Sequence, residues 1–316
     1  MEYFKNKSVC LVGGAGLIGS HIVDLLADTD VNNVVIFDNF CRGKQQNLDK
    51  IVNDSRFNIV VGNIEDYKVV FRAIQGCHVV YILAALWLNH CQELPIDGVN
   101  VNLVGTSNVL EACVNNSVAK IVFSSSASVY GEASKDPMTE DHPFNNTTVY
   151  GATKIGGEAL LKAYSNKYSI PSVALRYFNV YGPRQDYKGA YIAVMMRMID
   201  NILNNKSPVV FGEGSQAFDF ISVKDIARAN LLAGIYDGEM YNEFNVCTGI
   251  STSIKTIAEM LIDIMESDVE IEYKPGDFPV SSRRGGIEKA ANFLGFEATI
   301  DLKNGLRELV EWRKSF

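Results

Sequence analysis

Tyr150 and Lys154 stand four residues apart in Tyr150-Gly151-Ala152-Thr153-Lys154, so on a helix they share one face. A phenol beside an ammonium group is a base waiting to be tuned. Near its ordinary pKa of about 10 it is a poor one, and bringing it to about 7 takes about 4 kcal/mol of preferential stabilisation of the phenolate. Spacing alone does not carry this chemistry, because Tyr3-Phe4-Lys5-Asn6-Lys7 repeats it. Context separates the two pairs. The Tyr150 pair opens a helix-length segment after an apolar run ending in Ser124-Ser125-Ser126, and ligands of open parallel sheets bind beyond the carboxyl ends of the strands.

A second constellation precedes it. Gly13-Gly14-Ala15-Gly16-Leu17-Ile18-Gly19 follows the apolar run Ser8–Val12 and opens the stretch Leu17–Ala27. Glycines there let the backbone turn sharply and approach a pyrophosphate, which the free N–H groups of a helix start attract; the alternative is a tight turn without a ligand. Asp38 ends the next apolar run about twenty residues on, where a carboxylate accepts hydrogen bonds from an adenosine ribose and repels a 2′-phosphate. NAD is therefore expected over NADP, with Arg42 close enough in sequence to argue the other way.

Positioning these groups requires a sheet. Short apolar runs at Ser8–Val12, Asn33–Phe37, Asn58–Val61, Val79–Ala84, Lys120–Ser125 and Ser172–Arg176 alternate with helical stretches that include Leu17–Ala27, Gly98–Asn115 and Tyr150–Tyr168. This is the rhythm of βα units in a doubly wound parallel sheet of α/β class. After about Phe178 the rhythm loosens, which predicts a smaller, mixed α/β C-terminal substrate lobe. Residues 1–178 read as a dinucleotide-binding domain, with returns to it near 223–247, and residues 179–316 as mainly the interleaved lobe.

Composition narrows the partners. The net charge of −8 comes without a basic run, against nucleic acid or an anionic membrane as the main partner. No apolar run reaches transmembrane length, and Met1–Lys7 is polar rather than a leader; a cytoplasmic location is expected. The six cysteines form no C-x-x-C pair and the four histidines share no ligand spacing, so no metal site is expected.

Gly13–Gly19, Asp38-Asn39, Ala84-Ala85, Asn102, Ser124-Ser125-Ser126-Ala127-Ser128-Val129-Tyr130-Gly131, Tyr150-Gly151-Ala152-Thr153-Lys154 and Arg176-Tyr177-Phe178-Asn179-Val180-Tyr181-Gly182 together resemble the extended short-chain dehydrogenase/reductase family. The resemblance spans nearly the whole chain and is closest to nucleotide-sugar epimerases and dehydratases. It implies a Rossmann sheet, NAD as cofactor and a nucleotide-sugar substrate. It makes Tyr150 the base, gives Lys154 the tuning of that base and the nicotinamide ribose, and has Ser126 hydrogen-bond the reacting oxygen. The cofactor contacts it implies are Gly13, Gly16, Leu17, Ile18, Gly19, Asp38, Asn39, Arg42, Asn63, Ile64, Ala84, Ala85 and Asn102, with Tyr150 and Lys154. The implied step removes a proton from a sugar hydroxyl, usually at C4, and moves hydride from its carbon to the nicotinamide, leaving NADH and a ketosugar. A homodimer, through helices such as Gly98–Asn115 and Tyr150–Tyr168, is implied as well.

Ala127-Ser128 occupies the place where the resembling 4,6-dehydratases carry an Asp-Glu pair. Elimination needs a positioned acid and base, so the expected reaction is 4-epimerisation. The expected substrate contacts are Trp87, Ser126, Ser128, Asn179, Tyr191, Phe211, Arg283 and Arg284. Phe218, before Asp219-Phe220, stands where the epimerases usually have a diphosphate-gripping Arg; Arg283 and Arg284 either replace that charge or lie solvated. This departure keeps a 4-dehydrogenase releasing the ketosugar as the alternative, ahead of a dehydratase and of a non-catalytic NAD-binding interaction protein.

Overall fold

The computed structural model describes residues 4–187, 193–276 and 282–316. In chain order its elements begin β1 Ser8–Val12, α1 Leu17–Ala27, β2 Asn33–Asp38, β3 Phe57–Val61, α2 Tyr67–Ile74, β4 Val79–Ile82, α3 Leu88–Glu93 and α4 Pro95–Val99. They continue with α5 Thr106–Asn115, β5 Lys120–Ser126, α6 Val149–Tyr168, β6 Ser172–Tyr177, β7 Asn179–Tyr181, α7 Val194–Leu203, β8 Val209–Phe211 and β9 Ala217–Ser222. The last are α8 Val223–Ile235, β10 Tyr241–Val246, β11 Ser251–Ser253, α9 Ile254–Ile264, β12 Glu272–Lys274, β13 Ser282–Arg283 and α10 Leu302–Lys314.

Seven strands form one parallel sheet in the order β10-β6-β5-β4-β1-β2-β3. Continuous apolar runs such as β4, buried along its whole length, suit strands covered on both faces. On one face α1 and α8 bring Ile22, Leu26, Ile226 and Leu231 onto the sheet. On the other, α2, α5 and α6 bring Val70, Val109, Leu110 and Leu161. The strand order reverses direction between β1 and β4, which opens the crevice of a doubly wound sheet at their carboxyl ends. Register aligns those ends, pairing Val12 with both Phe37 and Ile82, and Ser126 with Tyr177.

Strand ends shift by a residue at β2, β3, β5 and β6, and three further differences from the sequence expectation bear on the site. β4 stops at Ile82, leaving Ala84-Ala85 in the loop beyond it. The single helix expected over Gly98–Asn115 is instead α4, a π-helical turn at Asn100–Gly105, and α5. The helix bearing Tyr150 starts one residue earlier, at Val149, because the Thr148 side chain caps it by accepting from the Gly151 amide at 3.0 Å.

The later part of the chain does not stay apart from the sheet. β10 pairs with β6 from Tyr241↔Ser172 to Val246↔Tyr177, and α8 packs on α1. The remaining segments build a second core, where Met195, Ile199, Ile257, Leu261, Leu306 and Leu309 join α7, α9 and α10. Above it β9 pairs with β7, β11 and β13, and β8 pairs with β12.

Candidate active site

The carboxyl ends of β1, β2, β4, β5 and β6 surround one cavity of about 420 Å3. Gly13, the first residue after β1, has φ +89°, and a Cβ there would sit 2.6 Å from the Ala84 amide nitrogen; only glycine lets the turn pass this close to the loop after β4. A Cβ at Gly16 would meet no atom nearer than 3.5 Å, so its backbone is open to the cavity. Gly16 is the N-cap of α1 and lends no side chain to the helix start. Free N–H groups and an open backbone facing a cavity fit a pyrophosphate.

Asp38 is buried at the end of β2, where its carboxylate accepts from the Ala15 amide at 2.9 Å and the Phe40 amide at 2.8 Å. These two bonds fix the carboxylate at the rim and leave it further acceptor positions for a ribose diol. Asn39 donates to Asn63 at 2.7 Å, joining the ends of β2 and β3. Both amides line the cavity with Leu17, Ile18, Gly19, Ile64, Ala84 and Ala85. The residues present therefore fit a dinucleotide from the glycine loop to the end of β3.

Tyr150 and Lys154 come to the same cavity from the first turns of α6. Lys154 is buried, donates to the Ser124 carbonyl at 2.8 Å, and lies 5.6 Å from the Tyr150 ring centre. Burial pulls the Lys154 amine down to about 8. Burial likewise pushes the Tyr150 phenol up to about 12, opposed by a hydrogen bond with Ser126. Ser126 also donates to the Ser128 hydroxyl at 3.0 Å, which ties the two serine hydroxyls to each other. The protein alone thus holds a protonated phenol, and the geometry has an amine and a hydroxyl placed to favour its ionisation once more positive charge arrives.

Asn102, expected at the cofactor, is placed behind the wall. It accepts from the Leu86 amide at 2.7 Å and donates to the Leu86 carbonyl and to Thr153 at 3.1 Å each. It reaches the cavity through the Leu86 loop, and the π-helical turn at Asn100–Gly105 is what carries it there.

The expected substrate contacts scatter. Trp87 lines the cavity. Asn179 donates to the Asp219 carbonyl at 3.1 Å, tying β7 to β9. Arg283 pairs with Glu132 at 2.6 Å and Arg284 with Asp136 at 3.0 Å, both as partly exposed ion pairs. Phe211 ends β8, opposite Lys274 of β12, outside the cavity wall. Tyr191 lies outside the described residues.

Sequence reasoning passed over Arg184, Gln185 and Asp186, which also line the cavity. Arg184 pairs with Asp24 of α1 at 2.7 Å, and Arg42 donates from Nε to Asp186 at 3.1 Å. The turn signal Gly182-Pro183 marked the loop but not its partners, which lie far back in the chain. Glu158 was also passed over. One helical turn beyond Lys154, it binds Arg176 of β6 through contacts of 3.0 and 2.7 Å and accepts from Ser125 of β5.

This arrangement has relatives. The model of the NAD dependent epimerase/dehydratase family matches residues 9–247. A UDP-N-acetylglucosamine 4-epimerase from Methanobrevibacter ruminantium M1, solved with UDP-N-acetylmuramic acid, superposes with a TM-score of 0.92 at 36% identity, covering 98% of this chain and 99% of that one. The UDP-glucose 4-epimerase of Thermotoga maritima, solved with UDP-glucose, gives 0.90 at 31% identity over 98% and 99%. UDP-glucuronic acid decarboxylase 6 of Arabidopsis thaliana is 28% identical over 96% of this chain and 88% of its own. With a glycine loop, a carboxylate at the end of β2 and a tyrosine-lysine pair around one cavity, and a family match over most of its length, the chain belongs to the NAD dependent epimerase/dehydratase family, as an enzyme of the extended short-chain dehydrogenase/reductase group.

Proposed function

We propose that the protein is a UDP-sugar 4-epimerase that oxidises the C4 hydroxyl and reduces the same carbon from its other face. The observation that carries this reading is Tyr150 beside Lys154 on the cavity, with Ser126 and Ser128 hydrogen-bonded to each other at the end of β5 and no carboxylate in Ala127-Ser128. Tyr150 accepts the proton of the sugar hydroxyl and returns it later; Ser126 holds the reacting oxygen. Lys154, fixed by the Ser124 carbonyl, stabilises the phenolate. When bound, oxidised NAD supplies the hydride acceptor and a positive ring charge beside the phenol. Glycine-loop amides hold its pyrophosphate and Asp38 its adenosine ribose. The relatives solved with UDP-sugars support the nucleotide. Homodimerisation remains part of the proposal and is read by sedimentation.

Purified protein incubated with UDP-, GDP-, CDP- and dTDP-sugars tests this, with NADH absorbance and product stereochemistry followed together. An epimer without net NADH is expected. Stoichiometric NADH with a free ketosugar would replace the epimerase by a 4-dehydrogenase. Loss of a carboxyl group from a uronic acid substrate would place the protein with its decarboxylase relatives.

A further inference from the structure

Arg42, Trp87 and Asp186 come from three different loops, after β2, after β4 and after β7, and all line the cavity that holds Tyr150 and Lys154. The Arg42 guanidinium lies 4.0 Å from the Trp87 ring centre and donates to the Asp186 carboxylate. Lys44 adds a second cation 3.8 Å from Asp186. On the same loop, Arg184 is tied to Asp24 of α1. Three ion pairs therefore stitch the loop 182–187 to the two structures that bear the glycine turn and Asp38. Stacking on an aromatic face and pairing with a carboxylate restrict one guanidinium from two sides.

We propose that Asp186 is a cofactor-retaining residue: through Arg42 and Trp87 it closes the cavity at its catalytic end and holds the dinucleotide there while the sugar is in its oxidised form. The value of such retention rests on the epimerase reading, since returning hydride to the same sugar requires that the reduced cofactor stay in place. Arg42 was expected as a cofactor contact on its own account. In the structure its charge is committed to Asp186, and Arg42, Trp87 and Asp186 line the same cavity as Tyr150 and Lys154.

The two roles for Arg42 predict opposite signs at Asp186. If Arg42 simply grips phosphate, freeing it from Asp186 strengthens the grip and slows cofactor release. If the pair is a closure, Asp186→Asn opens it and speeds release.

NADH, loaded on the full-length protein and followed by its own fluorescence, is displaced by excess NAD without sugar present. Asp186→Asn is expected to release NADH at least about tenfold faster, a loss of about 1.4 kcal/mol, with Asp186→Glu close to wild type. Unchanged or slower release from Asp186→Asn overturns the proposal. Thermal melts check folding, and Asp186→Ser is measured instead where Asp186→Asn is unfolded, with the same criterion. Product stereochemistry is scored separately. An epimerase with Asp186-insensitive release refutes only the closure, whereas Asp186-dependent retention with a free ketosugar as product refutes only the epimerase.

Discussion

Tyr150 carries a conflict that the protein does not resolve alone. The same burial that positions the phenol raises it to about 12, and the buried Lys154 amine falls to about 8. Both shifts favour neutral forms, as desolvation must. Their pairing is productive only when added positive charge tips the phenol toward ionisation. Tyr150→Phe should cut turnover by about 100- to 10,000-fold and leave NAD binding intact, as read by steady-state rates and cofactor titration. An equal loss of both would show that Tyr150 serves binding rather than proton transfer. Removing the Lys154 cation disfavours the phenolate, so Lys154→Met should move the rising limb of the pH profile of kcat/KM upward, by about one pH unit or more. A profile that stays put would remove Lys154 from the tuning of Tyr150.

Helix α6 is locked beneath these groups by charge rather than by apolar contact alone. Glu158 and Arg176, both about 5% exposed or less, share a buried network in which Arg176 also donates to Tyr130 at 2.9 Å and Tyr130 to Asn245 at 2.6 Å. It joins α6, β5, β6 and β10 under the site. Glu158→Ala strands a guanidinium in the core and should cost about 3–5 kcal/mol, measured as a lowered urea midpoint; Glu158→Gln should cost less. What the sequence made legible follows from such distances along the chain. Gly13–Gly19, Asp38 and the Tyr150 helix were readable because local chemistry dictates them: a turn, a strand end, a threonine cap. The break at Asn100–Gly105 was not, since the pull on Asn102 comes from Leu86 across the wall. Arg42 and Asp186 are 144 residues apart, and nothing at either position announces the other. The expected roles of Arg283 and Arg284 rested on charge alone, and nothing in the local sequence announced their ion pairs with Glu132 and Asp136.

The folded chain as a unit also answers to pH. His21 is buried on α1, and that burial lowers its imidazole to about 4 although its Nδ1 contacts the Leu17 carbonyl at 2.8 Å. The folded form therefore favours the neutral ring while the unfolded chain protonates near 6.5. Stability is full above about 6.5 and falls as pH drops toward 4, by up to about 3 kcal/mol. Urea midpoints across that window should slope downward on acidification, and His21→Gln should flatten the slope. Strand β10 sets a different limit, one of time. During synthesis from the amino end, β6 emerges with one edge bare until Tyr241–Val246 has followed it, some sixty residues later. Over that interval the nascent sheet offers Ser172–Tyr177 as an unpaired template. A fragment ending at Phe178 never leaves that interval, so it should be recovered as aggregate, and a separately supplied segment containing β10 should be what rescues it.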